Sequence, residues 1–118
     1  MPFIDHYEPG KVVIDGKPYT QDVLILGDEV MTWFRVEFEA LHEADLQFLL
    51  SEGAKEIIVG LGPSDERLVL PPDAKAALSH WPARIDYLGS AEAVAAFNAA
   101  AGSASLALVV RTDEPFDP

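Results

Sequence analysis

Through its first third the chain carries the β-branched and aromatic runs of strands, and from about Ala40 the apolar positions take up the helical period. The segment KVVIDGKPYTQDVLIL, from Lys11 to Leu26, places β-branched runs on either side of Asp15-Gly16, a dipeptide that tolerates the positive φ of a tight turn. It predicts a β-hairpin. Pro18, which lacks an amide proton, belongs in the turn region or on an edge strand. Val30 to Phe38 predicts a third strand, with Arg35, Glu37 and Glu39 facing water. Successive strand residues point to opposite faces, so Trp33 and Phe34 cannot both enter a one-sided core. Trp33, with the larger apolar surface, is expected inside.

Beyond Ala40, Leu41, Ala44, Leu46, Phe48, Leu49 and Leu50 form the apolar stripe of an amphipathic helix, and Gly53 supplies a left-handed C-cap. Glu56 to Gly60 is nearly all apolar, the signature of a strand buried on both faces. After the strand-like Arg67-Leu68-Val69-Leu70, Pro71-Pro72-Asp73 opens a helix to about Trp81, since proline is tolerated in a first turn. Ile85 to Leu88 is the next strand. Ser90 is expected to N-cap a helix over Ala91 to Ala101, Gly102 to end it, and Ser105 to Arg111 to form the last strand. Helices alternating with buried strands imply parallel neighbours and right-handed crossovers. The expected fold is therefore a layered α/β domain with a mixed sheet: an N-terminal β-hairpin followed by three αβ units. One domain over 1–111 and an acidic, flexible tail over 112–118 complete the expected organisation.

A chain of 118 residues is long enough to bury roughly two-thirds of the surface it exposes when unfolded, in one core. It has no cysteine, which excludes disulfides, thiolate metal sites and cysteine nucleophiles. Eight basic residues against twenty acidic ones give a formal charge of −12. Nucleic acid and anionic membrane surfaces should be repelled. The start, MPFIDHYEPG, has the pattern of neither a secretion signal nor a mitochondrial presequence. No apolar run reaches the roughly 20 residues that span a bilayer. A cytoplasmic protein, or one from which a targeting segment has been removed, is the expectation.

The segment EIIVGLGPSDERLVLPPD, Glu56 to Asp73, carries Gly60-Leu61-Gly62 directly after a strand. A dinucleotide loop needs a third glycine where Asp65 stands and a helix immediately afterwards, whereas here Glu66, Arg67 and a strand-like run follow. The two carboxylates would repel phosphate. The glycine pair therefore reads as a structural turn, kept as a ligand position only because strand ends are where such sheets bind. His6, His42 and His80 have no metal-ligand spacing, and none of the serines sits in a nucleophile elbow. No metal or cofactor is expected. The candidate ligand or partner surface comprises Trp33, Phe34 and Arg35 together with Gly60, Gly62, Ser64, Asp65 and Arg67, with another protein as the expected occupant.

A set of short segments resembles a known family. Asp5-His6-Tyr7, Gly10 to Tyr19, Asp22-Val23, Trp33-Phe34-Arg35, Leu49-Leu50 and Ile58-Val59-Gly60-Leu61-Gly62 look like the adipogenesis-associated domain family, which includes the mitochondrial NADH dehydrogenase (complex I) assembly factor 3 group. Leu70-Pro71 and Ala96-Phe97-Asn98 add to the likeness, which runs from Phe3 to about Val110. The resemblance implies a small three-layer α/β fold, shared by many prokaryotic members of unassigned biochemical role, with no catalytic residues to carry over. The leading expectation for this chain is a non-enzymatic binding or assembly-type domain. The alternative is a small-ligand binder or enzyme with its pocket at the Gly60 to Asp65 loop. The chain departs from the family after the third helix, where Gly102-Ser103-Ala104-Ser105 replaces a polar or basic pair.

Overall fold

The computed structural model describes residues 2–35, 40–63 and 69–111. Strands β1 (Ile4–Glu8), β2 (Lys11–Ile14) and β3 (Lys17–Tyr19) form an antiparallel three-stranded sheet in that order. Asp15 and Gly16 both take positive φ, 51° and 79°, as a two-residue hairpin turn requires. Strands β4 (Val23–Leu26), β5 (Glu29–Thr32), β6 (Glu56–Gly60), β7 (Arg84–Leu88) and β8 (Ser105–Leu108) form a mixed sheet of order β5-β4-β8-β6-β7. β6 runs parallel to both β7 and β8, while β4 is antiparallel to β5 and β8. A 3₁₀ turn over Glu43–Leu46 leads into α1 (Gln47–Ser51), and α2 (Pro72–Leu78) and α3 (Ser90–Ala100) complete the αβ alternation.

Alternation along the central strands sends side chains into two cores. Val23, Ile25, Ile58, Leu106 and Leu108 point to one face, where they meet Ala93 and Phe97 of α3 and Ile4, Val12 and Ile14 of the small sheet. Leu24, Ile57, Val59, Ala107 and Val109 point to the other, against Leu41, Leu46, Leu49 and Leu78. Three layers result. The small sheet is fastened to α3 by Asn98, whose side chain bonds both the N–H and the C=O of Ile4 at 3.0 and 2.9 Å.

The expected α/β architecture is present, and four local readings are corrected. The N-terminal hairpin is part of a three-stranded sheet, because Ile4–Glu8 adds to it, and Val23–Leu26 joins the large sheet instead. The strand expected over Val30 to Phe38 ends at Thr32, so Trp33, Phe34 and Arg35 lie outside it, and Glu37, Phe38 and Glu39 fall outside the described residues. Arg35 does not face water, because Asp22 draws it inward. Ser90 is not a side-chain cap: Gly89 takes the N-cap position and the Ser90 hydroxyl is spent on tertiary bonds. The segment 112–118, expected to be a flexible tail, also lies outside the described residues.

Candidate functional site

Because β4 runs antiparallel to β8, the residue before β4 lies at the same sheet edge as the residues after β8, and the residues after β5 join them. Asp22, Trp33 to Arg35 and Val110-Arg111 are thus gathered at the edge where the parallel strands β6, β7 and β8 end, the usual ligand position in such sheets. Gly60 ends β6 there, and Leu61-Gly62 and Gly89-Ser90 follow β6 and β7.

The centre of the first cluster is an ion pair. Arg35 donates from Nε and Nη2 to one oxygen of Asp22 at 2.9 and 2.7 Å, and the other oxygen accepts the backbone N–H groups of Val110 and Arg111 at 2.8 and 2.9 Å. Both side chains are nearly out of water. The Asp22 carbonyl in turn accepts the Trp33 N–H at 2.8 Å. Trp33 is 4 % exposed, and its indole N–H donates to the carbonyl of Asp45 at 2.8 Å, while the Arg35 guanidinium lies 5.5 Å from its ring centre. Phe34, between these two anchored residues, is 85 % exposed. Gln21, Asp22, Thr32, Trp33, Phe34, Arg35 and Arg111 line a shallow depression of about 150 Å³.

The second cluster surrounds the glycine pair. A Cβ on Gly60 would stand 2.6 Å from Leu108 Cδ1, 3.0 Å from Ser90 Oγ and 3.1 Å from Ala93 Cβ, so the missing side chain lets α3 lie directly on β6. Gly62 has a φ of 107°, donates its N–H to Ser90 Oγ and accepts the Ser90 N–H, each at 2.9 Å. The Leu61 N–H goes to the Leu88 carbonyl. A phosphate cradle needs backbone amides that point outward; here those of Leu61, Gly62 and Ser90 all bond inward. The glycines serve the turn and the helix packing.

Beside them, Tyr7, Glu8, Pro9, Gly62, Pro63, Gly89, Ser90, Ala91 and Glu92 line a depression of about 460 Å³. The buried Tyr7 hydroxyl has no hydrogen-bond partner among the described residues. Burial pushes its pKa up, the Asp22 charge adds to the rise, and the Ser90 hydroxyl lowers it. Ser90 Oγ is nevertheless committed to Gly62 and to the Val109 carbonyl, and its approach to Tyr7 lacks the geometry of a bond.

Of the residues singled out from the sequence, Trp33, Phe34 and Arg35 share the first depression, and Gly62 lines the second with Gly60 beneath it. Ser64, Asp65 and Arg67 lie outside the described residues. Asp22, Arg111, Tyr7 and Ser90 are not among the site residues expected from the sequence, and the structure places them at these two depressions. Asp22 precedes Arg35 by 13 positions and Val110 by 88, separations that no local pattern links. Among the described residues, no three His, Asp or Glu side chains form a metal-binding group, and no helix is long and apolar enough to cross a membrane.

Solved structures share this architecture at low identity. The conserved hypothetical protein PH1505 from Pyrococcus horikoshii superposes with a TM-score of 0.77 at 20 % identity, covering 92 % of this chain and 98 % of that one. Rpa2829 from Rhodopseudomonas palustris gives 0.75 at 22 % identity, covering 97 % and 86 %. A Bordetella pertussis protein described as a Mth938-like domain gives 0.62 at 13 % identity over 92 % and 85 %. No match is found among curated proteins. The chain belongs to the family described as Protein of unknown function (DUF498/DUF598), which matches residues 4–109.

Proposed function

We propose that the chain is a non-enzymatic, cytoplasmic protein-binding domain of the assembly-factor type, which docks its partner on the surface around Phe34. The observation that carries this reading is an aromatic ring exposed at 85 % between two immobilised neighbours. A ring held on a rigid base gains contact area without losing much chain freedom, which is why aromatics anchor interfaces. Binding is favoured over catalysis because each oxygen of Asp22 already accepts two hydrogen bonds, so its lone pairs are engaged in holding the fold. The resemblance to the complex I assembly factor 3 group points the same way, and the charge of −12 disfavours nucleic acid.

A small-ligand function is the second reading, favoured by the depression beside Gly62. Its rim carries Glu8 and Glu92, so a neutral or cationic molecule suits it better than a phosphate.

Affinity capture with the wild-type chain and with Phe34→Ala, beside a thermal-shift screen of metabolites, separates the two. The expected result is a stoichiometric protein partner lost in Phe34→Ala with an unchanged melt. Equal capture by both chains, or a metabolite that raises the melting temperature by several degrees, would overturn the docking reading in favour of the second depression.

A further inference from the structure

Strand β7 forms one edge of the large sheet. The Arg84 N–H bonds the Lys55 carbonyl and the Leu88 carbonyl accepts the Leu61 N–H, so Arg84, Asp86 and Leu88 turn their backbone groups toward β6. Ile85 and Tyr87, one step out of phase, turn theirs away from the sheet. Among the described residues no backbone group meets them. The other edges are less suited to pairing. Pro18 interrupts β3, an irregularity between Ile4 and His6 bends β1, and β5 carries the acidic Glu29 with no basic residue to oppose it.

We propose that β7 pairs antiparallel with β7 of a second copy of this chain, with Ile85 opposite Ile85 on the two-fold axis. Only Ile85, Tyr87 and the preceding Ala83 can face one another in hydrogen-bonded pairs, which restricts the registers. With Ile85 opposite itself, Arg84 of each copy stands opposite Asp86 of the other in the close, non-hydrogen-bonded pairs, Cα atoms about 4.5 Å apart. Sliding to Ile85 opposite Tyr87 sets Asp86 against Asp86. Sliding the other way sets Arg84 against Arg84. The charges thus select one register.

Within one copy Arg84 Nε lies 3.5 Å from Asp86 Oδ2, with the side chains 74 % and 40 % exposed. Pairing gives each charge a second opposite neighbour. On the other face of the strand, the same register brings Tyr87 of the second copy opposite Ala83, beside a depression of about 170 Å³ lined by Lys75, Leu78, Ser79, Ala83, Ile85 and Tyr87. The charge of −12 on each copy opposes association, but it is screened beyond about 8 Å at physiological salt, whereas the Arg84–Asp86 pairs are in contact. An interface of two short strands is small, so a dissociation constant of roughly tens of micromolar is expected.

Sedimentation and light scattering of the full chain over about 1–500 µM bracket that constant. The wild type should pass from monomer to dimer. Asp86→Arg and Arg84→Asp each set like charges opposite one another and should weaken self-association at least about tenfold, without changing the melt. The double variant Arg84→Asp/Asp86→Arg restores opposite charges and should recover association to within about threefold. A wild type that stays monomeric throughout, single variants that associate normally, or a double variant that fails to recover would each overturn the proposal.

Discussion

Arg35 reaches Asp22 at 2.7 Å, and the two side chains are only 3 % and 4 % exposed. Removing either partner breaks a buried ion pair, which costs about 3–5 kcal/mol. Arg35→Ala and Asp22→Ala are each expected to lose that much in urea melts. The double variant should lose less than the sum, by about 1–3 kcal/mol, because both truncations break the same pair. Additive losses would assign the energy to packing on Trp33 instead.

The neighbours Trp33 and Phe34 should separate core from surface. Trp33→Ala opens a cavity under the sheet edge and frees a buried carbonyl of Asp45, an expected cost of about 3–5 kcal/mol. Phe34→Ala removes a ring already in water and should cost under about 0.5 kcal/mol. Urea denaturation of the two single variants checks the difference. Equal losses would mean that Phe34 is covered in solution.

Gly60→Ala introduces a methyl group against Leu108 and Ser90, both fully buried, so either side chain can yield only by displacing its neighbours. Overpacking of this kind costs about 1–3 kcal/mol. Ser90→Ala relieves none of the Leu108 contact and strands the buried Gly62 N–H, so it should cost roughly 1–3 kcal/mol on its own. Thermal or urea melts of both variants decide, and a neutral Gly60→Ala would show that α3 can shift off β6.

Tyr7 and Tyr87 both have pKa values raised by burial above the ordinary 10.0. Between that value and the higher folded ones, the folded state holds more protons than the unfolded chain. Their contribution to stability is therefore complete below pH 10 and is lost as the pH rises through the folded values. Tyr7→Phe removes an unbonded buried hydroxyl and should be neutral or stabilising at pH 7, with a shallower alkaline loss. Urea midpoints at pH 7 and about pH 10.5 test this; an unchanged alkaline slope would mean that Tyr7 titrates normally.

What the sequence makes legible is what short-range period encodes. Glu56–Gly60 and Ser105–Leu108 are strands because their apolar runs must be covered on both faces, Arg84–Leu88 alternates charged and apolar positions, and the αβ alternation follows from their spacing. The inside and outside positions of Trp33 and Phe34 are also legible, although the chain achieves them just beyond the strand. Arg35 is not, because a charge in an alternating pattern is assigned to water until the carboxylate that neutralises it is known. That carboxylate is placed by the β4–β5 pairing and by the return of the chain at Val110. Ser90 misleads for a similar reason: a serine beside a helix start usually caps it, but here Gly62 and Val109 compete for the hydroxyl and win. Strand β1 escapes notice because its exposed Asp5, His6 and Glu8 conceal the buried Ile4.

The middle of the large sheet is filled by β8, whose partners are β4 and β6. Val23 pairs with Leu108 and Ile25 with Leu106, contacts that span most of the chain. Until β8 is inserted, the β4–β5 hairpin and the β6–β7 unit have no shared neighbour and expose the apolar rows that later become both cores. Closing such distant pairs costs chain entropy before any burial repays it, so folding should be slow for a domain of this length. On a ribosome the two halves emerge before the strand that joins them, and the interval before Ser105 to Leu108 is released is when this protein is most exposed to aggregation and most in need of a chaperone.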